Sequence, residues 1–410
     1  MKAGWNQQKL GEVCEFLNRG ISPKYLDENG VCVLNQKCVR DHAVNYESSR
    51  RHDAEAKTVS AERFVRLGDV LVNSTGTGTL GRVAQVRDEP DEPTTVDSHV
   101  TIVRPKPGMF HLDFFGYMLI VIEEAIKEAG EGCGGQTELA RSVLADRFSI
   151  SYPSSLPEQQ RIVAILDEAF DGIATAKANA EKNRQNARAL FESHLQSVFT
   201  HRGEGWKQKT LAEIATTFGR GKSRHRPRNE PKLYGGEYPF IQTGDIRNSE
   251  HFITEYSQTY SEAGLAQSKL WPKGTICITI AANIAETGIL GFDACFPDSV
   301  IGVIANPQEA DVDFVEYLLQ SFKVRIQAMG KGSAQANINM GTFENERFPF
   351  PPVTEQKQIV AKLDALREET QRLESLYWQK LTALDDLKKS LLHQAFSGQL
   401  TACSVDEAMV

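Results

Sequence analysis

Two glycine-rich stretches contain the residue types that phosphate-binding loops use. Residues 76–81 read Gly-Thr-Gly-Thr-Leu-Gly and match the G-x-G-x-x-G pattern of dinucleotide-binding loops. Such a loop opens a helix, whereas Arg82 begins the strand-like run R-V-A-Q-V, so the segment is predicted to form a hairpin. In residues 219–223, Gly-Arg-Gly-Lys-Ser, Thr216 stands where an ATP-binding loop requires its earlier glycine. We therefore predict no nucleotide site in either stretch.

The glycine-rich hairpin has two other interpretations. The hydroxyls of Ser74, Thr75, Thr77 and Thr79, with the guanidinium of Arg82, suit close contact with DNA phosphates or base edges. Alternatively, the glycines only allow a tight turn between two strands. The residue types do not decide between a DNA contact and a plain turn.

A basic segment stands out against an acidic chain. The sequence has 46 Lys and Arg against 54 Asp and Glu, a net charge of −8, so any DNA-binding surface must be local. Residues 220–232 hold a single acid, Glu230, among six basic side chains. These six are Arg220, Lys222, Arg224, Arg226, Arg228 and Lys232. A solvated charged loop is the alternative, but the density of arginine suits phosphate contacts and guanine recognition, so we favour DNA contact.

Three amide side chains are also candidates for contacts with DNA bases. The side chains of Gln136, Gln335 and Asn337 can each form paired hydrogen bonds with an adenine edge in a major groove. They can equally cap the turn of the chain into the next element.

The motifs of a catalytic or metal site are missing from the sequence. No Asn/Asp-Pro-Pro-aromatic loop of a DNA adenine methyltransferase occurs, and there is no recognisable nuclease arrangement or nucleophile elbow. His42, His52, His99 and His225 have no metal-ligand spacing with cysteines or carboxylates. We therefore expect no metal and no cofactor in this chain, and chemistry supplied by partner proteins.

Cysteine use and hydropathy favour the cytoplasm. The seven cysteines include no C-x-x-C pair and no regular spacing, so they are interpreted as reduced, structural thiols. The N-terminus has no apolar signal core, and no run approaches the ~18 apolar residues that span a bilayer. A cytoplasmic location is expected.

The chain is a two-fold repeat. Trp5 recurs as Trp206, and Arg19-Gly20 as Arg220-Gly221, at one offset (206 − 5 = 201). Further on, P-E-Q-Q-R-I-V-A-I-L-D at 157–167 matches T-E-Q-K-Q-I-V-A-K-L-D at 354–364 at another (354 − 157 = 197). The duplicated unit is a globular segment followed by a long helix, with loops of different length between the copies.

A heptad pattern follows each matched helix start and predicts a coiled-coil seam. The predicted seam residues are Ile162, Leu166, Ile173 and Leu190 in the first copy and Ile359, Leu363, Leu373, Leu384 and Leu391 in the second. Asn183 and Lys380 occupy equivalent seam positions; either they fix the register, or the seam rotates locally so that both face water. Parallel and antiparallel pairing are both compatible with the sequence. We favour antiparallel pairing, because it turns the sequence repeat into an approximate two-fold axis.

The globular segments are predicted to be mixed α/β. Short apolar runs alternate with turn residues, and a helical stretch follows late in each copy, at about 111–129 and 311–329. The predicted organisation is a globular domain at 1–155, a helix at 156–201, a second globular domain at 202–352, a second helix at 353–400 and a tail at 401–410.

Together these features resemble the specificity subunits of Type I restriction-modification systems. The resemblance covers nearly the whole chain and rests on the paired helix starts at 157 and 354, G-D-V-L with T-G-T-G-T-L-G-R at 68–82, and P-F-I-Q-T-G-D-I at 239–246. The second copy departs from it where T-G-T-G-T-L-G becomes I-A-A-N-I-A-E-T-G-I-L-G. The resemblance implies two target-recognition domains, two modification subunits on the helices, and motor-nuclease subunits joining them. It also implies that S-adenosylmethionine and ATP bind to those partners.

We therefore predict a non-catalytic subunit whose two globular domains each read one half of an interrupted double-stranded DNA site. The halves should differ, because the loops 18–28 and 74–82 diverge from 219–232 and 280–291. Arg19, Lys24 and Asn283 complete the candidate contacts because they lie in these loops. The rival hypotheses are a modification enzyme fused to its own specificity part and a stand-alone transcriptional regulator.

Overall fold

The computed structural model describes residues 4–130, 138–201, 203–225, 227–281, 283–330, 338 and 340–400. The chain forms two compact units, one of residues up to 180 together with those from 379 on, the other of residues 181–378. Each unit contains one globular domain and a segment of each long helix, Leu156–Thr200 and Val353–Phe396. This grouping arises because each domain packs its core on both helices, and not only on the helix that follows it.

The first unit is built on two four-stranded sheets. One is antiparallel, in the order Cys14–Arg19, Val100–Pro105, Val70–Asn73 and Val83–Gln85. The other has the order Thr94–Val96, Val31–Leu34, Arg50–His52 and Tyr25–Leu26, and its first pair is parallel. Two-stranded pairs join Trp5–Lys9 to Ser149–Pro153 and Val39–Arg40 to Ala43–Val44. The helices are Leu10–Val13, Leu112–Val121, Glu123–Glu128 and Arg141–Asp146, with 3-10 turns at Tyr46–Ser48 and Ala61–Arg63.

The second unit has a five-stranded and a four-stranded sheet. The five strands follow the order Ala215–Arg220, Val300–Ala305, Ile276–Thr279, Thr287–Leu290 and Phe252–Ile253. The four follow the order Gln258–Tyr260, Tyr234–Phe240, Ala294–Cys295 and Leu270–Trp271. Lys207–Lys209 pairs with Phe348–Phe350. The helices are Thr243–Asn248, Glu262–Ala266, Val312–Gly330 and Met340–Asn345, with a 3-10 turn at Pro231–Leu233.

The same antiparallel arrangement of four strands occurs in both units. Cys14–Arg19 beside Val100–Pro105 corresponds to Ala215–Arg220 beside Val300–Ala305. The next strand is buried at all four positions in each copy, as its continuous apolar run requires of a strand covered on both faces. The sequence repeat is therefore a structural repeat, and the mixed α/β prediction is confirmed.

Within the first unit the two long-helix segments run antiparallel. Phe170 of the first helix lies against the Lys388 ammonium, 5.0 Å from the ring centroid, and Lys177 pairs with Asp385 at 2.7 Å. As the residue numbers rise along one helix, those of their partners fall along the other. The favoured orientation is therefore the observed one.

The predicted seam holds over most of the first long helix and then shifts. Ile162, Leu166 and Ile173 are buried, but Leu190 is 53% exposed, and burial continues at Leu195 instead. The physical reason is helical periodicity. A straight helix drifts by about 20° per heptad against a strict seven-residue repeat, so the buried stripe moves by almost one residue over this length.

In the second long helix Leu363 is fully buried. Ile359, Leu373, Leu384 and Leu391 are half-buried. Asn183 and Lys380 are both exposed, so the alternative in which the seam rotates and both face water is the one observed.

A fully buried glutamine attaches each long helix to its globular domain. Gln159 accepts from His111 N at 2.8 Å and donates to Pro153 O at 2.9 Å and Met109 O at 3.3 Å. In the second unit Gln356 accepts from Asp311 N at 2.8 Å and donates to Pro351 O at 2.8 Å and Glu309 O at 3.3 Å. The glutamine of the repeated E-Q pair is thus a duplicated clamp, and we call these two residues the clamp glutamines.

A buried histidine strengthens the attachment in the second unit. His251 is 1% exposed, with Asp313 2.9 Å from Nε2 and Glu316 2.5 Å from Nδ1. Its ring stacks on Tyr317, whose hydroxyl donates to Asp364 on the long helix at 2.6 Å. Burial alone lowers the pKa of His251, but the hydrogen bonds to Asp313 and Glu316 outweigh it and raise the pKa to about 9.

Candidate nucleic-acid interface

The glycine-rich segment of the first unit is a hairpin, as predicted. Val70–Asn73 pairs antiparallel with Val83–Gln85. Gly76 has a φ of +106° and Gly81 a φ of +81°, in the left-handed region that favours glycine. A Cβ at Gly81 would lie 2.8 Å from Lys127 N, so the hairpin also packs closely on the domain. The loop leads into a strand instead of a helix, which excludes the dinucleotide-binding arrangement.

Most hydroxyls of the hairpin are used within the domain. Ser74 is buried, with its Oγ 2.5 Å from Thr101 Oγ1. Thr75 Oγ1 lies 2.7 Å from His99 Nδ1. These contacts stiffen the base of the loop and leave the buried Ser74 without access to a ligand.

The tip of the hairpin carries the accessible groups. Thr77 is exposed, and Arg82 is half-buried with its Nη2 donating to Gly78 O at 2.9 Å. Thr79 Oγ1 donates to Gln36 Oε1 at 2.6 Å, which joins the tip to the loop after Val31–Leu34. This hydrogen bond therefore holds two strand-end loops of the first unit beside each other.

Arg19 and Lys24 differ in their availability. Arg19 pairs with Glu138 at 2.6 Å and donates to Leu139 O at 2.8 Å, so its guanidinium holds neighbouring segments together. Lys24 is exposed, and only its backbone is fixed, by an N–H bond to His52 Nδ1 at 2.9 Å. Of the two side chains, that of Lys24 is therefore the more accessible to a ligand.

The basic segment of the second unit follows the edge strand Ala215–Arg220. Arg220, Lys222, Arg224, Arg228 and Lys232 are all exposed residues. Burial and the charge of Lys222 both lower the pKa of Lys269, whose ammonium lies 3.5 Å from the Trp271 ring centroid. The segment therefore creates a local positive potential on an acidic chain.

A cavity of about 280 Å³ opens beside this segment. It is lined by Arg220, Arg228, Ile280, Ala281, Asp298, Ser299 and Ile338. Ile280 N donates to Ser299 O at 3.0 Å, and Ile338 N donates to Ile280 O at 3.1 Å. The loop that diverges from the glycine-rich hairpin thus forms one wall of the cavity and the basic segment another.

Asn283 lies in that divergent loop. Its Oδ1 accepts from Arg247 Nη1 at 3.3 Å, and its carbonyl accepts a bond from Thr279 Oγ1. Four other candidates, Gln136, Arg226, Gln335 and Asn337, lie outside the described residues.

Sequence reasoning missed three polar residues of these edges. Gln36, Arg247 and Asp298 come next to the candidate loops only in the fold. These residues are far from the candidates in sequence, so no local pattern pointed to them, although Gln36 follows the strand Val31–Leu34 and Asp298 precedes the strand Val300–Ala305, where edge loops are expected.

Among the described residues, no group of three or more His, Cys, Asp or Glu side chains is placed to hold a metal ion. Burial raises the pKa of the Cys14 thiol to about 12 and of the Cys38 thiol to about 11, so neither is a thiolate nucleophile. In the part of the chain that the structure describes, no helix is both long enough and apolar enough to cross a membrane.

The chain is similar in sequence to one protein family over both copies. A family model described as the Type I restriction modification DNA specificity domain matches residues 2–183 and 203–381. A putative type I restriction enzyme specificity subunit of Methanocaldococcus jannaschii is 21% identical over 97% of this chain and 93% of that protein. The EcoBI specificity subunit of Escherichia coli is 22% identical over 76% of this chain and 70% of that protein.

Solved structures share the fold. The HsdS subunit of Thermoanaerobacter tengcongensis superposes with a TM-score of 0.63 at 18% identity, covering 98% of both chains. A chain from a study of complex assembly and conformational transition of the type I R-M system gives a TM-score of 0.79 at 17% identity, covering 98% of this chain and 99% of that one. At such identities the likeness concerns the arrangement of the elements.

Proposed function

Because the chain belongs to the family of Type I restriction modification DNA specificity domains, we propose that each of its globular domains reads one half of an asymmetric, interrupted DNA site. One observation carries the proposal: the two domains share a four-strand sheet and a clamp glutamine but differ in their edge loops. A common frame with different contact loops is what reading two different sequences requires.

In this proposal the two domains recognise DNA by different means. The first domain presents to DNA a stiff hairpin with Thr77 at its tip. Exposed Lys24 lies in the other candidate loop of this domain, residues 18–28. The second presents a basic segment beside a cavity. Arginines beside a groove suit guanine edges and phosphates, whereas small hydroxyls on a glycine-rich turn allow close backbone approach.

The long helices take the second role in the proposal. They set the spacing between the half-sites and dock two modification subunits, and restriction and translocation subunits join that complex. Exposed apolar side chains on the helices support this docking, for example Leu376, 50% exposed, and Leu387, 46% exposed. The chain supplies recognition and no catalysis, and S-adenosylmethionine and ATP bind to the partner subunits.

The net charge of the chain gives different expectations for a specificity subunit and for a stand-alone transcriptional regulator. With a charge of −8, the chain repels DNA at long range, so binding by the isolated chain is expected to be weak and to strengthen when the modification subunits join.

The test is to co-express the full chain with a Type I modification methyltransferase from the same genome. We expect co-purification and a gain in affinity for DNA when the methyltransferase is present. Tight, sequence-specific binding by the chain alone, without co-purification, would contradict the proposal and favour the regulator.

A further inference from the structure

One carboxylate lies where a DNA-reading surface should avoid negative charge. Among the described residues that line the cavity beside Arg220 and Arg228, only Asp298 is acidic. Its side chain is 41% exposed, so the carboxylate would lie close to approaching phosphates. Like charges a few ångströms apart repel even in water, by about 1 kcal/mol at 4 Å. Such a residue needs a compensating role.

The geometry points to that role: we propose that Asp298 is a positioning residue that holds the Arg228 guanidinium ready to read a base edge in the second half-site. Arg228 Nη2 lies 2.9 Å from Asp298 Oδ1 and 3.0 Å from Oδ2. One nitrogen therefore satisfies the carboxylate. The Arg228 side chain is 51% exposed, and the other guanidinium nitrogens keep N–H donors for a ligand.

Both ends of this pair are anchored. The carbonyl of Arg228 accepts from Tyr234 Oη at 2.6 Å, which fixes the backbone of a segment that otherwise runs through solvent. Asp298 sits in a tight turn closed by Val300 N to Pro297 O at 3.1 Å. An arginine held at both its backbone and its guanidinium loses less rotamer freedom on binding, which increases affinity for the partner that fits it.

The two domains share a strand arrangement, but the residue of the first domain that corresponds to Asp298 is not acidic. Gly20 N donates to Val100 O, and Gly221 N to Val300 O, each at 2.9 Å, so the strands correspond at these residues. Counting back two residues, Asp298 corresponds to Ser98, which is half-buried. The pair therefore lies where the domains diverge, as a determinant of one half-site should.

A competing explanation is an ordinary surface ion pair, which contributes little to stability and nothing to recognition. The two explanations predict opposite behaviour for Asp298→Asn. Removing a negative charge near DNA should strengthen binding to any duplex. If Asp298 positions Arg228, the same change should weaken binding to the correct site while leaving or strengthening binding to an unrelated duplex.

The experiment rests on the proposed function and uses the full chain with its co-purified methyltransferase. The probes are a duplex carrying the methylated motif of the host and a shuffled duplex of equal length, and the variants are Asp298→Asn, Arg228→Ala and the double variant. We expect Asp298→Asn to reduce the affinity ratio of motif to shuffled duplex by about tenfold, with little further loss when Arg228→Ala is already present.

Failure of the proposed function and failure of the positioning role give different results. If the wild-type complex does not distinguish the two duplexes, the proposed function fails. If it does, but Asp298→Asn raises affinity for both duplexes alike, or lowers the ratio equally in the Arg228→Ala background, the positioning role is wrong. Asp298→Glu, which retains the charge, should restore part of the ratio, and a general loss of folding would lower binding to both duplexes together.

Discussion

The clamp glutamines allow a prediction with a control built into the sequence. Gln159→Leu replaces a fully buried amide, whereas Gln160→Leu makes the same change at the next, exposed position of the same helix. The second unit offers the same pair in Gln356→Leu and Gln358→Leu. Helix propensity changes equally in each pair, so any difference reports the clamp.

The magnitude follows from the partners that lose their bonds. Gln159→Leu leaves His111 N and Pro153 O, bonded at 2.8 and 2.9 Å, without partners in the core, while the 3.3 Å bond to Met109 O is weaker. Each buried neutral group left unpaired costs about 1–3 kcal/mol. Allowing for the greater apolarity of leucine, we expect a net loss of about 2–4 kcal/mol. The control should change stability by less than about 0.5 kcal/mol.

Hydrogen exchange measured by mass spectrometry is the suitable assay, because a chain with two units has no single free energy of unfolding. In Gln159→Leu, amides of Val100–Pro105 and Leu112–Val121 should exchange about 30- to 1,000-fold faster, while the second unit changes little. Gln356→Leu should do the reverse. Equal protection in Gln159→Leu and Gln160→Leu would refute the clamp.

Three other perturbations follow from contacts in the two units. Arg104 bonds Asp69 through Nε and Nη2, each at 2.7 Å, with the carboxylate only 1% exposed. Arg104→Met should therefore cost about 3–5 kcal/mol in urea denaturation of the first unit. Arg51→Met, which breaks an exposed pair with Glu92, should cost under about 1 kcal/mol, and similar costs would contradict the argument. Because the pKa of His251 is raised from 6.5 to about 9, its protonated form stabilises the second unit below pH 6.5, and this contribution is lost as the pH rises through 9. The denaturation midpoint of the second unit should fall over that range in the wild type but not in His251→Gln; parallel curves would show that another group is responsible. Arg224→Ala should lower the slope of log affinity against log salt by about 1, and an unchanged slope would place the basic segment away from phosphates.

The sequence predicted best those features of the fold that depend on residues close together in the chain or on a regular spacing. The repeat, the two helix starts and the hairpin at 74–82 follow from residue identity, spacing and the conformational demand of glycine, and all three appear in the structure. The predicted seam residues are buried at Ile162, Leu166 and Ile173, but the prediction is wrong at Leu190, which is exposed. A strict seven-residue count ignores the slow rotation of a straight helix, and that error grows with length.

The candidate interface was less predictable, because hydrogen-bond partners come from distant parts of the chain. Residue type made Ser74 and Arg19 equal to Thr77 and Lys24 as candidates, yet Ser74 is buried against Thr101 and Arg19 is paired with Glu138. Burial and pairing depend on which loops meet at the sheet edge. The local sequence does not show which distant loops come into contact, so Asp298 could be identified only from the fold.

The central claim is that the two domains read different halves of one DNA site. The most direct measurement is methylome sequencing of cells carrying this gene and a Type I modification methyltransferase of the same genome, in wild type, in an in-frame deletion, and in a strain with Arg228→Ala in the second domain. We expect an asymmetric bipartite adenine-methylated motif that disappears with the deletion and relaxes in one half only with Arg228→Ala. Methylation that is unchanged by the deletion, or a motif that relaxes equally in both halves, would contradict it.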